Sequence, residues 1–319
     1  MNSVFLNIKE NRFTLVLLPF VMLLLVTFIF TALTHGNFIT TRNINVIIQQ
    51  AMIVATVSTG ACFIFATGNV NIAMGSCTVL VSAVAAMTYT ATKSIVLMFI
   101  VAILLGVLVM IICVLLSTKL KVMVIHVTVV MMVLLTAIQS EILGGSSISL
   151  PFAMTNSVNK AHVPYIIFAS FVIFSIIIFH LTSIGRHIKM IGANEDCAEL
   201  TGLTRTRALT IAFIIAGIGA GLAALLIIFR TGSITQTTGG SINTDVMLAI
   251  VLGGMPVFGG SKSRAYAPIL GAVTVTALNN GLLMVGVSPS IVQGVRGIIF
   301  LLLLLIGSKR TILLPAREG

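Results

Sequence analysis

The side chains able to do chemistry are few and scattered. His126 and His180 each stand in apolar runs, with no serine, carboxylate or second histidine at a spacing that builds a triad or a metal site. A lone histidine in such a run is most simply a packed residue bonded to backbone. Cys62, Cys77, Cys113 and Cys197 have neither zinc nor disulfide spacing, and three of them fall within apolar runs, so they read as small, reduced packing residues. The nearest approach to a phosphate loop, GMPVFGGSKS from Gly254 to Ser263, lacks the Gly-Lys-Ser/Thr register and follows no strand. These residues predict no catalytic centre, no metal site and no cofactor in this chain. Ion coupling would need membrane-embedded acids, and of the seven acidic residues only Asp245 lies near a span boundary while Glu141 begins an outer loop. That weighs against proton coupling, whereas sodium sites made of carbonyls and hydroxyls keep a secondary transporter of a small polar solute as the alternative.

The elements that would carry these residues are set by composition. A chain of 319 residues that is 58% hydrophobic and 8% charged, with mean hydropathy +1.18, cannot hide its apolar surface inside one water-soluble core. Continuous apolar runs long enough to cross a bilayer recur along it, and their lack of alternation excludes a β-barrel. The expectation is an all-α polytopic membrane protein forming one transmembrane domain over residues 1–319. Spans are expected near 13–34, 44–66, 74–92, 94–116, 122–140, 162–182, 208–229, 245–258, 266–285 and 289–307. The first is longer than a signal-peptide core and has no clean cleavage site after it, so it reads as a retained span.

With about ten spans, both termini fall in the cytoplasm, and basic residues test the threading. Lys9, Arg12, Lys119, Lys121, Arg186, Lys189, Arg205, Arg207, Lys262, Arg264, Lys309, Arg310 and Arg317 come to lie inside. Outside are only Arg42, Lys93, Lys160 and Arg230, the bias expected of a cytoplasmic face. Scattered over short loops, the formal charge of +11 is no nucleic-acid footprint. Two glycine-interrupted segments, TGNVNIAMG (Thr67 to Gly75) and VLGGMPVFGGSKSR (Val251 to Arg264), read either as broken helices lining a pathway or as turns between hairpins. They sit six spans apart and run in the same direction, the pattern of a parallel internal repeat.

The longest inner loop, 183–207, holds one soluble-looking element. Asn194 is placed as an N-cap, Glu195 and Asp196 occupy the first turn where the helix dipole favours anions, and Gly202 ends the helix. A short capped helix, tethered to spans on both sides, is suited to receive force from a partner.

The stretch IGANEDCAELTGLTRTRALTIAFIIAGIGAGLAALL (Ile191 to Leu226) resembles the cytoplasmic loop and following helix of sugar-type ABC importer permeases, those for ribose, xylose and galactosides. The stretch from Val251 to Ile306, with its GG, Phe-Gly-Gly, basic loop, Leu-Gly-Ala and Asn-Asn-Gly in order, resembles the same family, and TGNVNIAMGS corresponds to its Gly-x-Asp-Leu-Ser-x-Gly-Ser segment. Asn71 stands where the family usually carries aspartate, and Ala267-Pro268 replace a usual Trp-Gly. The resemblance implies a bacterial cytoplasmic-membrane permease that works with a second permease copy, a separate ATPase subunit binding ATP and an extracytoplasmic binding protein. As the one cytoplasmic helical element joined directly to the spans, the capped helix from Glu195 to Thr201 is expected to take the push of that ATPase, with acidic Glu195, Asp196 and Glu199 and apolar Ala198 and Leu200 as the contact.

A sugar-like solute is neutral and rich in hydroxyls, so its path needs sparse hydrogen-bonding groups. Asn69, Asn71, Asn279, Asn280 and Gln293 are the candidates, each equally able to cap a broken helix or bond another span. Arg296, about seven residues into the last span, needs a partner or a cavity, because an unpaired guanidinium at that depth costs at least about 2.5 kcal/mol. Asp245 and Glu141 are the acidic partners available on the outer side, and an ion pair fixing helix packing competes with a pathway role. The threading makes a direct prediction: cysteines placed at Ser157 or Thr235 react with an impermeant thiol reagent from outside, and one at Ser261 only from inside. Outside labelling at Ser261 would reverse the topology.

Overall fold

The computed structural model describes residues 12–308 except 201, 203, 257 and 258, with side chains described from 19 to 301 except those of 196, 197, 199, 201, 203, 257 and 258. Lys9, Lys309, Arg310 and Arg317, on which the placement of the two termini rests, lie outside the described residues.

The helices are α1 (Arg12–Leu33), α2 (Thr41–Ala66), α3 (Met74–Thr92), α4 (Ile95–Leu120), α5 (Val124–Leu143), α6 (Phe152–Lys160), α7 (Val163–Leu181), α8 (Ser183–Ala193), α9 (Glu195–Leu200), α10 (Arg205–Thr231), α11 (Ile242–Leu252), α12 (Ala267–Met284) and α13 (Pro289–Ser308). Two short strands, β1 (Ile148–Ser149) and β2 (Ser233–Ile234), pair antiparallel between α5 and α11. Every expected span has a helix. Seven, α2 to α5, α7, α10 and α12, are long and apolar enough to cross a membrane; the described parts of α1, α11 and α13 give shorter apolar helices. The chain is thus an all-α polytopic membrane protein. The eighth span is shifted from the expected 245–258: α11 is 11 residues long and stops at Leu252, because Gly253 and Gly254 turn the chain. At a rise of 1.5 Å per residue it covers roughly 16 Å, about half a hydrocarbon core.

Burial separates centre from rim. In α2 and α10, 83% and 78% of the most apolar window is buried, against 28% in α4, α5 and α7. Lipid gives helices no hydrophobic reason to associate, so close contact depends on small residues. A Cβ added at Gly106 of α4 would sit 2.5 Å from the Gly217 carbonyl oxygen of α10, and one at Gly221 would sit 2.5 Å from that of Ala102. Ala102 meeting Gly221 and Gly106 meeting Gly217 also shows that the two helices run antiparallel. The same small-xxx-small register brings Ala249 and Gly253 of α11 against Gly271 and Ala267 of α12.

The neighbours of one half recur in the other. α10 packs on α4 and α3, as α2 packs on α12 and α11; α3 packs on α4 and α5, as α11 packs on α12 and α13. The exchange matches α2–α5 with α10–α13. Gly60 lies against Ala216, and Gly219 against Thr56, so the matched central helices α2 and α10 are antiparallel. The repeat is therefore inverted, which corrects the parallel one expected from the glycine breaks. Those breaks are not each other's counterparts: the equivalent of Thr67 to Gly75 is the segment after α10, Gly232 to Ser241, and each has a left-handed Gly where its helix ends, Gly68 and Gly232. Comparing breaks by direction along the chain paired the wrong two.

Replacing Gly217 with leucine drives a side chain into the α4 backbone, whereas a Cβ at Gly294 of α13 meets nothing within 4 Å. Gly217→Leu is expected to lower the thermal midpoint of the purified protein, or its folded yield, well beyond Gly294→Leu, since overpacking typically costs about 1–3 kcal/mol. Equal effects would mean that the α4–α10 crossing can spread at little cost.

Candidate functional site

The interrupted helices α3 and α11 begin beside one another. A helix start leaves backbone N–H groups without internal partners, and within a packed membrane protein other protein groups must take them. For α3 that group is Asn243, on the first turn of α11: its Oδ1 accepts from Gly75 N–H at 2.7 Å and Ser76 N–H at 3.2 Å. Its Nδ2 donates to Ser76 Oγ at 3.0 Å, and Thr136 Oγ1 of α5 reaches the same oxygen at 3.2 Å. Asn71 serves the same end of the break, just before α3. Its Oδ1 accepts from Ala73 N–H at 2.9 Å and its Nδ2 lies 3.3 Å from Met110 Sδ.

On its other side α11 carries a buried ionic network. Arg296 Nη1 lies 3.3 Å from Asp245 Oδ1, and Arg296 Nε donates to Asn279 Oδ1 at 2.6 Å. Asn279 Nδ2 donates to Asp245 Oδ1 at 3.2 Å, and Ser241 Oγ donates to Asp245 Oδ2 at 2.9 Å. Arg296 is 7% exposed, Asp245 3% and Asn279 1%; among the described residues Asp245 and Arg296 are the buried charges. Three helices, α11, α12 and α13, are tied together by one carboxylate and one guanidinium. Asp245 is also in the first turn of α11, where the helix dipole favours an anion.

A family model described as the permease component of the branched-chain amino acid transport system matches residues 43–304. The chain belongs to this family. Among its relatives, the ribose import permease protein RbsC of Escherichia coli (strain K12) is 27% identical over 90% of this chain and 92% of its own length. RbsC of Bacillus subtilis (strain 168) is 28% identical over 92% of each chain, and the galactofuranose transporter permease protein YtfT of Escherichia coli (strain K12) 24% over 83% of this chain and 80% of its own. No solved structure matches.

In this permease the pathway candidates do not converge. Asn279 and Arg296 share the ionic network, and Asn71 is 1% exposed and spent on capping α3. Asn69 turns back on Thr67, its Nδ2 lying 3.2 Å from the carbonyl oxygen and 3.1 Å from Oγ1. Asn280 buries an Oδ1 with no partner among the described residues, and Gln293 lies on the exposed side of α13. Asp245 stands where the sequence reading put a partner for Arg296. Asn243, Ser76 and Thr136 were not singled out, for one polar residue in each of three separated segments carries no local pattern. His180 Nε2 accepts from Ala265 N–H at 3.4 Å and its ring stacks on Tyr266, a packing role.

The inner loop holds two helices rather than one. α8 is amphipathic, with Ile188 and Ile191 buried and Arg186, His187 and Met190 exposed. Its Lys189 ammonium lies 4.7 Å from the Phe179 ring centre, and partial burial lowers its pKa from the ordinary lysine value. Asn194 is extended and its carbonyl accepts from Ala198 N–H, while Gly202 is left-handed, so both ends of α9 match their expected roles. Glu195 pairs with Arg205 at 3.0 Å, both side chains well exposed. Ala198 is 2% exposed and faces the protein, which corrects its assignment as an apolar contact for a partner; Leu200 is 89% exposed and free for one. The side chains of Asp196 and Glu199 lie outside the described residues.

Removing one member of a buried ion pair costs about 3–5 kcal/mol because the other charge is stranded. Arg296→Leu and Asp245→Leu are each expected to reduce folded, inserted protein severely, and Lys93→Leu to have little effect. Combining Arg296→Leu with Asp245→Leu is expected to recover a substantial part of the loss, read as thermal midpoint and detergent-stable yield. Additive losses would show that the two charges are not each other's partners.

Proposed function

We propose that this permease forms the translocation path of an ATP-driven importer for a monosaccharide-like solute in a bacterial cytoplasmic membrane. The observation that carries the reading is similarity over about nine-tenths of the chain to permeases named for ribose import, with others named for galactofuranose and fructose. Its ten helices cross the membrane with both termini inside, residues 183–207 form the cytoplasmic coupling loop, and the ATPase, the binding protein and a second permease copy complete the machine. The secondary-transporter alternative finds no support in the relatives. The one buried carboxylate among the described residues is already neutralised by Arg296.

Three inner segments meet at Ala66, the last residue of α2. Gly260 N–H donates to its carbonyl at 3.1 Å, Gly192 of α8 packs against that same carbonyl, and a Cβ at Gly259 would collide with Phe65 O and Gly68 N. A push on α9 is therefore delivered through α8 to the end of α2 and to the 253–266 segment, the two inner interruptions of the fold. The Glu195–Arg205 pair adds a link to the start of α10, worth no more than about 1 kcal/mol at that exposure.

Because Ala198 is buried, the test uses the exposed positions. Glu195→Lys combined with Leu200→Asp is expected to leave insertion and outer-face docking of the loaded binding protein intact, and to lower binding-protein-stimulated ATP hydrolysis and uptake at least tenfold in the reconstituted complex. Stimulated hydrolysis near that of the unsubstituted protein would remove α9 as the coupling element.

A further inference from the structure

Beside the α3–α11 junction the surface opens into a cavity of about 440 Å³ lined by Ser76, Met132, Val133, Thr136, Ser140 and Asn243, with Ala137 at its edge. The helix α5 explains how it is built, since it has three faces. Thr128, Met131, Leu135 and Gln139 are buried against the protein. Val130, Leu134 and Ile138 are exposed and wholly apolar, the face suited to lipid. The third face carries Val133, Thr136, Ala137 and Ser140, exposed but with two hydroxyls four residues apart and a small residue between them. Across the cavity stand Ser76 and Asn243. The cavity surface is mostly apolar, as in small-molecule sites generally, with three hydroxyls and an amide placed to orient a polar guest, whereas the neighbouring face of the same helix has no polar group.

We propose that this cavity is a stretch of the solute path, where Ser76, Thr136, Ser140 and Asn243 hydrogen-bond the hydroxyls of a neutral sugar in transit. The assignment to a sugar rests on the importer reading above. All four groups are uncharged, and each hydroxyl both donates and accepts, as a sugar hydroxyl does. No charged side chain lines the cavity, which suits a guest that must leave as readily as it enters. Asn243 has its Oδ1 committed to α3 and one Nδ2 hydrogen to Ser76, so it offers the guest its remaining Nδ2 hydrogen; Thr136 and Ser140 form the exposed rim.

The test is differential. In membranes holding the assembled importer, single cysteines at Thr136, Ala137 and Ser140 are treated with a negatively charged, impermeant methanethiosulfonate reagent, alongside Val130 and Leu134 as lipid-face controls. Cys62, Cys77 and Cys113 are buried, and the unsubstituted protein gives the background. Labelling at least tenfold faster at the first three positions is expected; equally slow labelling at all five overturns the proposal. Ala137→Phe, which fills the cavity from an exposed position, is expected to lower uptake of whichever of ribose, fructose or galactose the unsubstituted complex carries by at least tenfold, with Leu134→Phe near normal. Normal uptake with Ala137→Phe also overturns it. A complex that carries none of these sugars yet shows the labelling pattern refutes these three as the guest and leaves the water-filled cavity and the importer reading in place.

Discussion

Everything in this molecule follows from a backbone that has no solvent to fall back on. Where α3 and α11 start within the bundle, their free N–H groups must be met by protein, and the chain does this with single side chains rather than with loops. Asn243 alone accepts two of the α3 donors and reaches across to Ser76. Asn71 takes a further backbone donor, Ala73 N–H, at the same start. Each such residue fixes the relative position of two helices, so satisfying the backbone and setting the architecture are one event. The price of that economy is that Asn243 keeps only part of its amide, one Nδ2 hydrogen, for any other partner.

The second constraint is charge. Arg296 would be costly anywhere in hydrocarbon, and the structure answers with Asp245 in the helix opposite and Asn279 between them. Such a pair adds little to stability compared with apolar residues of the same volume, but it punishes every arrangement that separates its members. It thus specifies the mutual placement of α11, α12 and α13, of which the first two also meet through small residues.

Much of this was legible in the residues. The spans were, because lipid demands continuous apolar runs, and so was the need of Arg296 for an acidic neighbour, because few acids were on offer. The end of α11 was misplaced by several residues, since Gly253 and Gly254 sit inside an apolar run. Ala198 looked available because the inward side of a six-residue helix leaves no periodic trace. The inverted repeat escaped notice because its two halves share neighbours and not sequence: α2 and α10 match by what they touch. The cavity was beyond reach for a related reason, as Ser76, Thr136 and Asn243 meet only after three helices have packed.

The inverted repeat also makes an asymmetry visible. α11 and α3 are counterparts, yet α11 is fastened to α13 and α12 by a salt bridge and the Asn279–Asp245 hydrogen bond, while α3 is held to α5 by the Thr136–Ser76 contact at 3.2 Å and carries no charge. Two halves with the same neighbours are thus held by unlike chemistry: an ion pair that tolerates no separation on one side, and hydroxyl and amide contacts on the other, where the cavity opens.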